Sequence, residues 1–163
     1  MSTSKKLNIG PVAFGLDLAN ALVLLLLFAL AIYYYNQLPA EIPIRFDAKG
    51  TPIASRTKAT LFVFPVLALV ISFILFLMRR QPNIINYPVE VTDENEQALY
   101  QQSSQLISGI MLTANVMLLL VCWNIVHVAM EQSEGINSVY LWIPIILMAL
   151  LAVNAYRRIK QLG

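Results

Sequence analysis

The chain has 163 residues, of which 58% are hydrophobic and only 12% are charged, with a formal net charge of +2. A soluble domain carries about 25% charged residues, so this composition excludes an ordinary soluble protein. The weak net charge gives no indication of a nucleic-acid partner. A single cysteine, Cys122, excludes an internal disulfide. The expected surroundings of the chain are therefore the lipid bilayer.

Four apolar runs are long enough to cross a membrane, which requires about 20 mostly apolar residues. They cover residues 12–35, 59–78, 106–130 and 139–156. The first run follows two lysines, as in a signal peptide, but it is too long for one and no small-residue cleavage site follows it. The predicted fold is an all-α integral membrane four-helix bundle, with residues 1–163 forming one transmembrane domain.

The first run contains two polar residues, Asp17 and Asn20, whose spacing places them on one helix face. An ionisable residue inside a span is a functional hypothesis, here a proton or cation relay. The structural alternative is a carboxylate paired with Lys5, Lys6 or Arg79. We favour the structural role, because one shallow carboxylate does not make a pathway.

The first loop, residues 36–58, contains prolines and charges and cannot lie in hydrocarbon. Alternating apolar residues predict a strand over 42–46, and residues 47–50 predict a turn in which Gly50 takes a positive φ. A second strand is expected over 51–54, with Ser55 as the N-cap of the second helix. The loop either binds a ligand or caps the bundle, and the candidate binding residues are Pro39, Pro43, Arg45, Phe46, Asp47, Gly50 and Lys58.

The second loop, residues 79–105, ends in a predicted helix start. Thr92 is a suitable N-cap, and acidic residues follow it at once, where the helix dipole favours negative charge. No helix breaker follows before Met130. The third helix is therefore expected to be long, and its first three turns are expected to project into the cytoplasm.

The third run has polar residues at two places. Ser108, Asn115 and Cys122 recur at every seventh position, which predicts a stripe on which another helix packs. Asn124 and His127 share a face with Glu131. The functional alternatives for this group are a metal or haem ligand, or a pH switch.

A lone histidine supplies too few ligands for a metal site, so we expect His127 and Asn124 to join helices by hydrogen bonds. No catalytic grouping is present in the sequence. We therefore expect no metal, no cofactor and no enzymatic activity.

Basic residues flanking the runs indicate the orientation, because they accumulate on the cytoplasmic side. The side with both termini and the second loop carries Lys5, Lys6, Arg79, Arg80, Arg157, Arg158 and Lys160, and the opposite side carries Arg45, Lys49, Arg56 and Lys58. Both termini are therefore predicted to be cytoplasmic, with the first loop outside.

The first loop resembles the signature of a bacterial membrane domain of unknown function found at the N-terminus of SdpI-type immunity proteins. That signature is LPxxIPxHF, then Gly, then a Lys before the next span. It is carried here by Leu38, Pro39, Ile42, Pro43, Phe46, Gly50 and Lys58, within a resemblance over about residues 22–77. Arg45 replaces the family's usual His, and the acidic residue often seen after the glycine is missing, so no metal- or proton-linked role carries over.

The resemblance implies a multi-pass protein of the bacterial cytoplasmic membrane. SdpI-type proteins protect a cell from a secreted peptide toxin and can sequester a repressor at the membrane. The leading hypothesis is an immunity or sensor protein whose first loop recognises an extracellular peptide or another partner. The alternatives are an accessory subunit that packs against a larger membrane protein complex, and a small transporter or channel. Besides the lipid bilayer, the expected partners are another membrane protein or further copies of this chain.

Overall fold

The computed structural model describes residues 8–81, 85–132, 135 and 139–162, with the side chains of all of these except 139–141. Lys5 and Lys6 lie outside the described residues. The elements in chain order are α1 (Gly10–Tyr35), β1 (Glu41–Phe46), β2 (Pro52–Thr57), a 3-10 turn (Lys58–Phe62), α2 (Val63–Arg79), α3 (Glu96–Ala129) and α4 (Val139–Lys160). Four helices are long and apolar enough to cross a membrane. The predicted four-helix bundle is confirmed, and it indicates a multi-pass membrane protein.

The helix α3 is the central element of the bundle. It packs along α1, α2 and α4, whereas α4 makes at most marginal contact with α1 and α2. The first three helices therefore form a compact body, and α4 lies against α3 alone. This arrangement leaves a gap on each side of α4.

Both described ends of the chain lie at the same end of the bundle as the start of α3. The amide of Gln97 donates to the carbonyl of Asn8 at 2.7 Å, and the amide of Asn95 donates to the carbonyl of Leu162 at 3.1 Å. We call this the terminal end and the opposite one the hairpin end. The prediction that the first turns of α3 project beyond the bundle is wrong, because these contacts place the start of α1 and the end of α4 at the same level. Leu99, in the first turn of α3, is fully buried.

The two predicted N-caps have different outcomes. Thr92 precedes the assigned start of α3 at Glu96 and makes capping contacts, because its hydroxyl accepts the backbone N–H of Asn95 and its own N–H donates to the side chain of Asn95. The N–H of Glu96 donates to the carbonyl of Thr92 at 2.9 Å, so this turn leads directly into α3. Ser55 does not cap the second helix, since it lies within β2. Thr57 takes that role, accepting a hydrogen bond from the backbone N–H of Ala59 at the start of the 3-10 turn.

The first loop forms an antiparallel hairpin that is seated on the bundle. In its turn, the carboxylate of Asp47 accepts the backbone N–H groups of Lys49 and Thr51, both at 2.8 Å, and Gly50 has φ +86°. The predicted turn is thus confirmed. Ile42 of β1 is fully buried, in one core with residues of α1, the 3-10 turn, α2 and α3. The hairpin is therefore an integral part of the core.

Because the hairpin is seated on the core, substitution of two of its isoleucines should have different effects on the free energy of unfolding. Ile42→Ala should lower the free energy of unfolding by about 2–4 kcal/mol, because it leaves a cavity in the core. Ile53→Ala is the matched control: Ile53 lies on β2, is 59% exposed, and should cost about 0.5 kcal/mol or less. Unfolding in mixed micelles, followed by helicity, measures both. Equal losses would contradict a seated hairpin.

Candidate functional site

A buried ion pair joins the first three helices near the terminal end. The guanidinium of Arg79, in the last turn of α2, binds both carboxylate oxygens of Asp17 on α1, at 2.8 and 2.9 Å. The same guanidinium donates to the hydroxyl of Ser108 on α3 at 2.6 Å, and that hydroxyl donates to Asp17 at 2.8 Å. The side chain of Arg79 is only 5% exposed and that of Asp17 is 25% exposed. We call these three residues the ionic layer.

A second polar layer lies farther from the terminal end and again takes one residue from each helix. The amide of Asn115 on α3 donates to Asn20 of α1 at 2.7 Å and to Ser72 of α2 at 2.6 Å. Asn20 also donates to Ser72, at 3.4 Å. We call this group the amide layer. The side-chain oxygen of Asn115 is buried and has no partner among the described residues.

The two layers give Asp17, Asn20 and Asn115 contacts within the chain. Both oxygens of Asp17 are engaged, and its partner is Arg79, one of the three anticipated cations. A charge within a span is expensive unless it is paired, and pairing with a neighbouring helix meets that need. The contacts of these residues thus hold the first three helices together.

Sequence reasoning missed Ser72, although a signal was present. Ser72 and Arg79 are seven residues apart on α2, as Ser108 and Asn115 are on α3, and this spacing places each pair on one helix face. Because polar residues recur at the same seven-residue spacing on α2 and α3, these two helices are expected to meet at two polar layers. The stripe predicted on α3 does pack against other helices, and those helices are α1 and α2 of the same chain.

Asn124 and His127 do not form the predicted link between helices within the described residues. The amide of Asn124 donates to the carbonyl of Leu120, and the ring nitrogen Nδ1 of His127 lies 3.0 Å from the carbonyl oxygen of Trp123, one turn back on α3. The ring of His127 also packs on that of Trp123, with centroids 4.2 Å apart. The expected contacts between helices fail because each polar group finds a nearer partner in its own helix.

The hairpin presents a basic surface formed by Arg45, Lys49 and Arg56. All three side chains are exposed, and none forms an ion pair with another described residue. Lys58 is not part of this surface, because its ammonium donates to the carbonyl of Leu38 and lies 4.8 Å from the ring centroid of Tyr35. Of the predicted binding residues, Lys58 thus helps to anchor the base of the hairpin, while Pro39 is exposed before β1 and Pro43 is half-buried within it.

An apolar recess of about 710 Å³ opens between the hairpin and α4. Phe46, Asp47 and Gly50 of the hairpin form one wall, with Trp142 of α4 on the other side and Ile125 of α3 within. Gly135, between α3 and α4, lies against the backbone of Gly50 in the hairpin turn. The hairpin therefore carries the basic surface and also forms one wall of the recess, in whose lining, among the described residues, Asp47 is the charged residue.

Comparison with known proteins adds one finding. Residues 22–69 match the family model described as Domain of unknown function (DUF1648). The matched segment runs from α1 through the hairpin into α2, so it contains the whole basic surface. It is similar to that family over this part of the chain. No curated protein and no solved structure matches the chain.

The amide layer predicts a contrast between two buried asparagines on α3. Asn115→Ala should lower the free energy of unfolding by about 1–2 kcal/mol, because it removes hydrogen bonds to two other helices. Asn124→Ala is the matched control and should cost about 0.5 kcal/mol or less, because its bond to its own helix is replaceable. Unfolding of both variants in mixed micelles measures the difference. A larger loss for Asn124→Ala would contradict the assignment.

Proposed function

We propose that this chain is a non-enzymatic recognition protein of the bacterial cytoplasmic membrane, of the SdpI-like immunity or sensor type. Its ligand is a peptide on the outer side, bound by the basic hairpin surface and the adjoining recess. The observation that carries this proposal is that one hairpin both carries three exposed cations and forms a wall of an apolar opening of about 710 Å³. The resemblance of residues 22–77 to SdpI-type proteins supports it.

The chemistry of the two features specifies the peptide. The recess takes an apolar or aromatic side chain, because its walls include Phe46, Ile125 and Trp142. The exposed guanidinium groups of Arg45 and Arg56 suit carboxylates, which guanidinium binds in a bidentate manner. The ligand is therefore a peptide with an apolar anchor and at least one neighbouring acidic group. Since the hairpin is held by the core, it does not have to be ordered on binding.

The proposed orientation places the hairpin outside and both termini in the cytoplasm. The last turn of α4 supports it, with Arg157, Arg158 and Lys160 all basic. Arg79 contributes little to this asymmetry, because its charge is balanced by Asp17 inside the bundle. The orientation then depends on the described cations of the terminal end, Arg80, Arg157, Arg158 and Lys160, and, in the sequence before α1, on Lys5 and Lys6.

Peptide recognition is better supported than the two alternatives. An accessory subunit was inferred partly from the polar stripe of α3, but Ser108 and Asn115 bind α1 and α2 of the same chain. A transporter was inferred from Asp17, but both of its oxygens are engaged. The exposed cations of the basic hairpin surface form no ion pair with other described residues, so they can bind a ligand.

A photo-crosslinking amino acid identifies the ligand in living cells. Placed at Ala48, which is exposed and lines the recess, it should capture a peptide or protein identifiable by mass spectrometry. At Ile53, on the same hairpin but outside the recess lining, the yield should be much lower. A synthetic copy of the captured segment is then titrated against purified protein in nanodiscs of phosphatidylcholine.

The affinity of that copy provides the decisive comparison. Arg45→Gln combined with Arg56→Gln should weaken binding about tenfold or more, because charge-assisted hydrogen bonds are lost. Lys160→Gln, at the terminal end, should leave the affinity unchanged. Equal capture at both positions, or a double variant that binds as tightly as the wild type, would refute recognition by this surface.

A further inference from the structure

A second groove lies between α1 and α4 near the terminal end, where α3 holds the two helices apart. It has a volume of about 280 Å³ and opens along the side of the bundle. Its floor is α3, with Gln105 and Leu106, and its walls are α1, with Leu16, and α4, with Leu151 and Arg158. The groove is on the opposite end of the molecule from the recess beside the hairpin.

Along both α3 and α4, the residues that line the groove change from polar to apolar in the same direction. On α3 the lining runs from Gln102 and Gln105 to Leu106, and on α4 it runs from Arg158 through Asn154 to Leu151. In both cases the polar residues are nearer the terminal end. The α1 wall is apolar. A ligand that fits this gradient has a polar head at the terminal end and an apolar chain that extends toward the middle of the bundle.

The polar side chains that line the groove have donor groups that form no hydrogen bond with other described residues. The side chains of Gln102 and Gln105 are half-buried and form no hydrogen bond with other described residues. The Nε of Arg158 donates to Asn154 at 3.3 Å, which orients the guanidinium and leaves its two terminal nitrogens unpaired among the described residues. Amide and guanidinium N–H groups that line one groove suit a phosphate.

Among the described residues that line the groove, Arg158 is the charged one. Arg157 and Lys160 flank Arg158 in the last turn of α4, and the first turn of α1 has no acidic residue. Glu96, at the start of α3, is six residues before Gln102, which is about 9 Å along the helix. Glu90 and Glu94 also lie at the terminal end, near Leu162, but outside the groove. The preference for an anionic head therefore rests on Arg158, which lines the groove itself.

We propose that this groove binds one anionic glycerophospholipid, such as phosphatidylglycerol. Arg158 and the amides of Gln102 and Gln105 hold the phosphate, and an acyl chain lies along Leu16, Leu106 and Leu151. Basic pockets between transmembrane helices are known to hold anionic lipid heads. The bilayer supplies such a molecule to the open side of the groove. This site is independent of peptide recognition at the hairpin end.

Native mass spectrometry of the detergent-solubilised protein tests the site. The protein is exposed to equimolar phosphatidylglycerol and phosphatidylcholine with identical acyl chains, and the retained lipid is counted. The wild type should retain one phosphatidylglycerol in preference. Arg158→Gln should lower its apparent affinity about tenfold, the effect of one charge-assisted hydrogen bond. Gln105→Leu should lower it by a smaller factor.

Arg157→Gln is the matched control. It removes the same charge from the same helix turn, but Arg157 does not line the groove, so the affinity should stay within about twofold of the wild type. Equal losses for Arg157→Gln and Arg158→Gln would overturn the proposal in favour of diffuse attraction to the basic helix end. Unchanged retention by Arg158→Gln, with helicity equal to that of the wild type, would overturn it as well. Loss of the lipid to millimolar inorganic phosphate would also do so, because the acyl chain should make the lipid the stronger ligand.

Discussion

The bidentate contact between Asp17 and Arg79 sets how the first three helices meet. Lipid chains are as apolar as the helices, so apolar burial does not draw transmembrane helices together as it does in water. Polar contacts then select one arrangement among several. The ionic layer fixes α1 against α2, and Ser108 adds α3 to the same point. Arg79 also lies at the carbonyl end of α2, where the helix dipole favours a cation.

The position of α3 determines where the two proposed binding sites lie. Because α4 packs on α3 alone, one gap opens beside the hairpin and another opens between α1 and α4. The first gap has as one wall the hairpin that carries the exposed cations and is held by Ile42, and the second has a gradient from amides to leucines. The first three helices thus form the body of the protein, and the fourth helix, packed on α3, leaves concave surfaces at both ends.

The four helices and the hairpin turn could be predicted from the sequence, because span length and the Asp47–Gly50 pattern are local properties. The capping contacts of Thr92 at the entrance to α3 are local as well, whereas the N-cap predicted at Ser55 was wrong because β2 continues to Thr57. Ser72 was missed because its role depends on residues of two other helices, although its spacing from Arg79 gave a usable signal. The recess was not predictable, since it arises from the attachment of α4, which no local pattern in the chain encodes.

A double-mutant cycle on Asp17 and Arg79 tests the central role of the ionic layer. Asp17→Ala and Arg79→Ala should each lower the free energy of unfolding by about 3 kcal/mol, because each leaves a buried charge without its partner. The double variant should lose little more than either single one, so that the coupling is about 2 kcal/mol or more. Arg80→Ala, at the exposed neighbouring position, is the control and should show no coupling to Asp17. Additive losses for Asp17 and Arg79 would contradict the account.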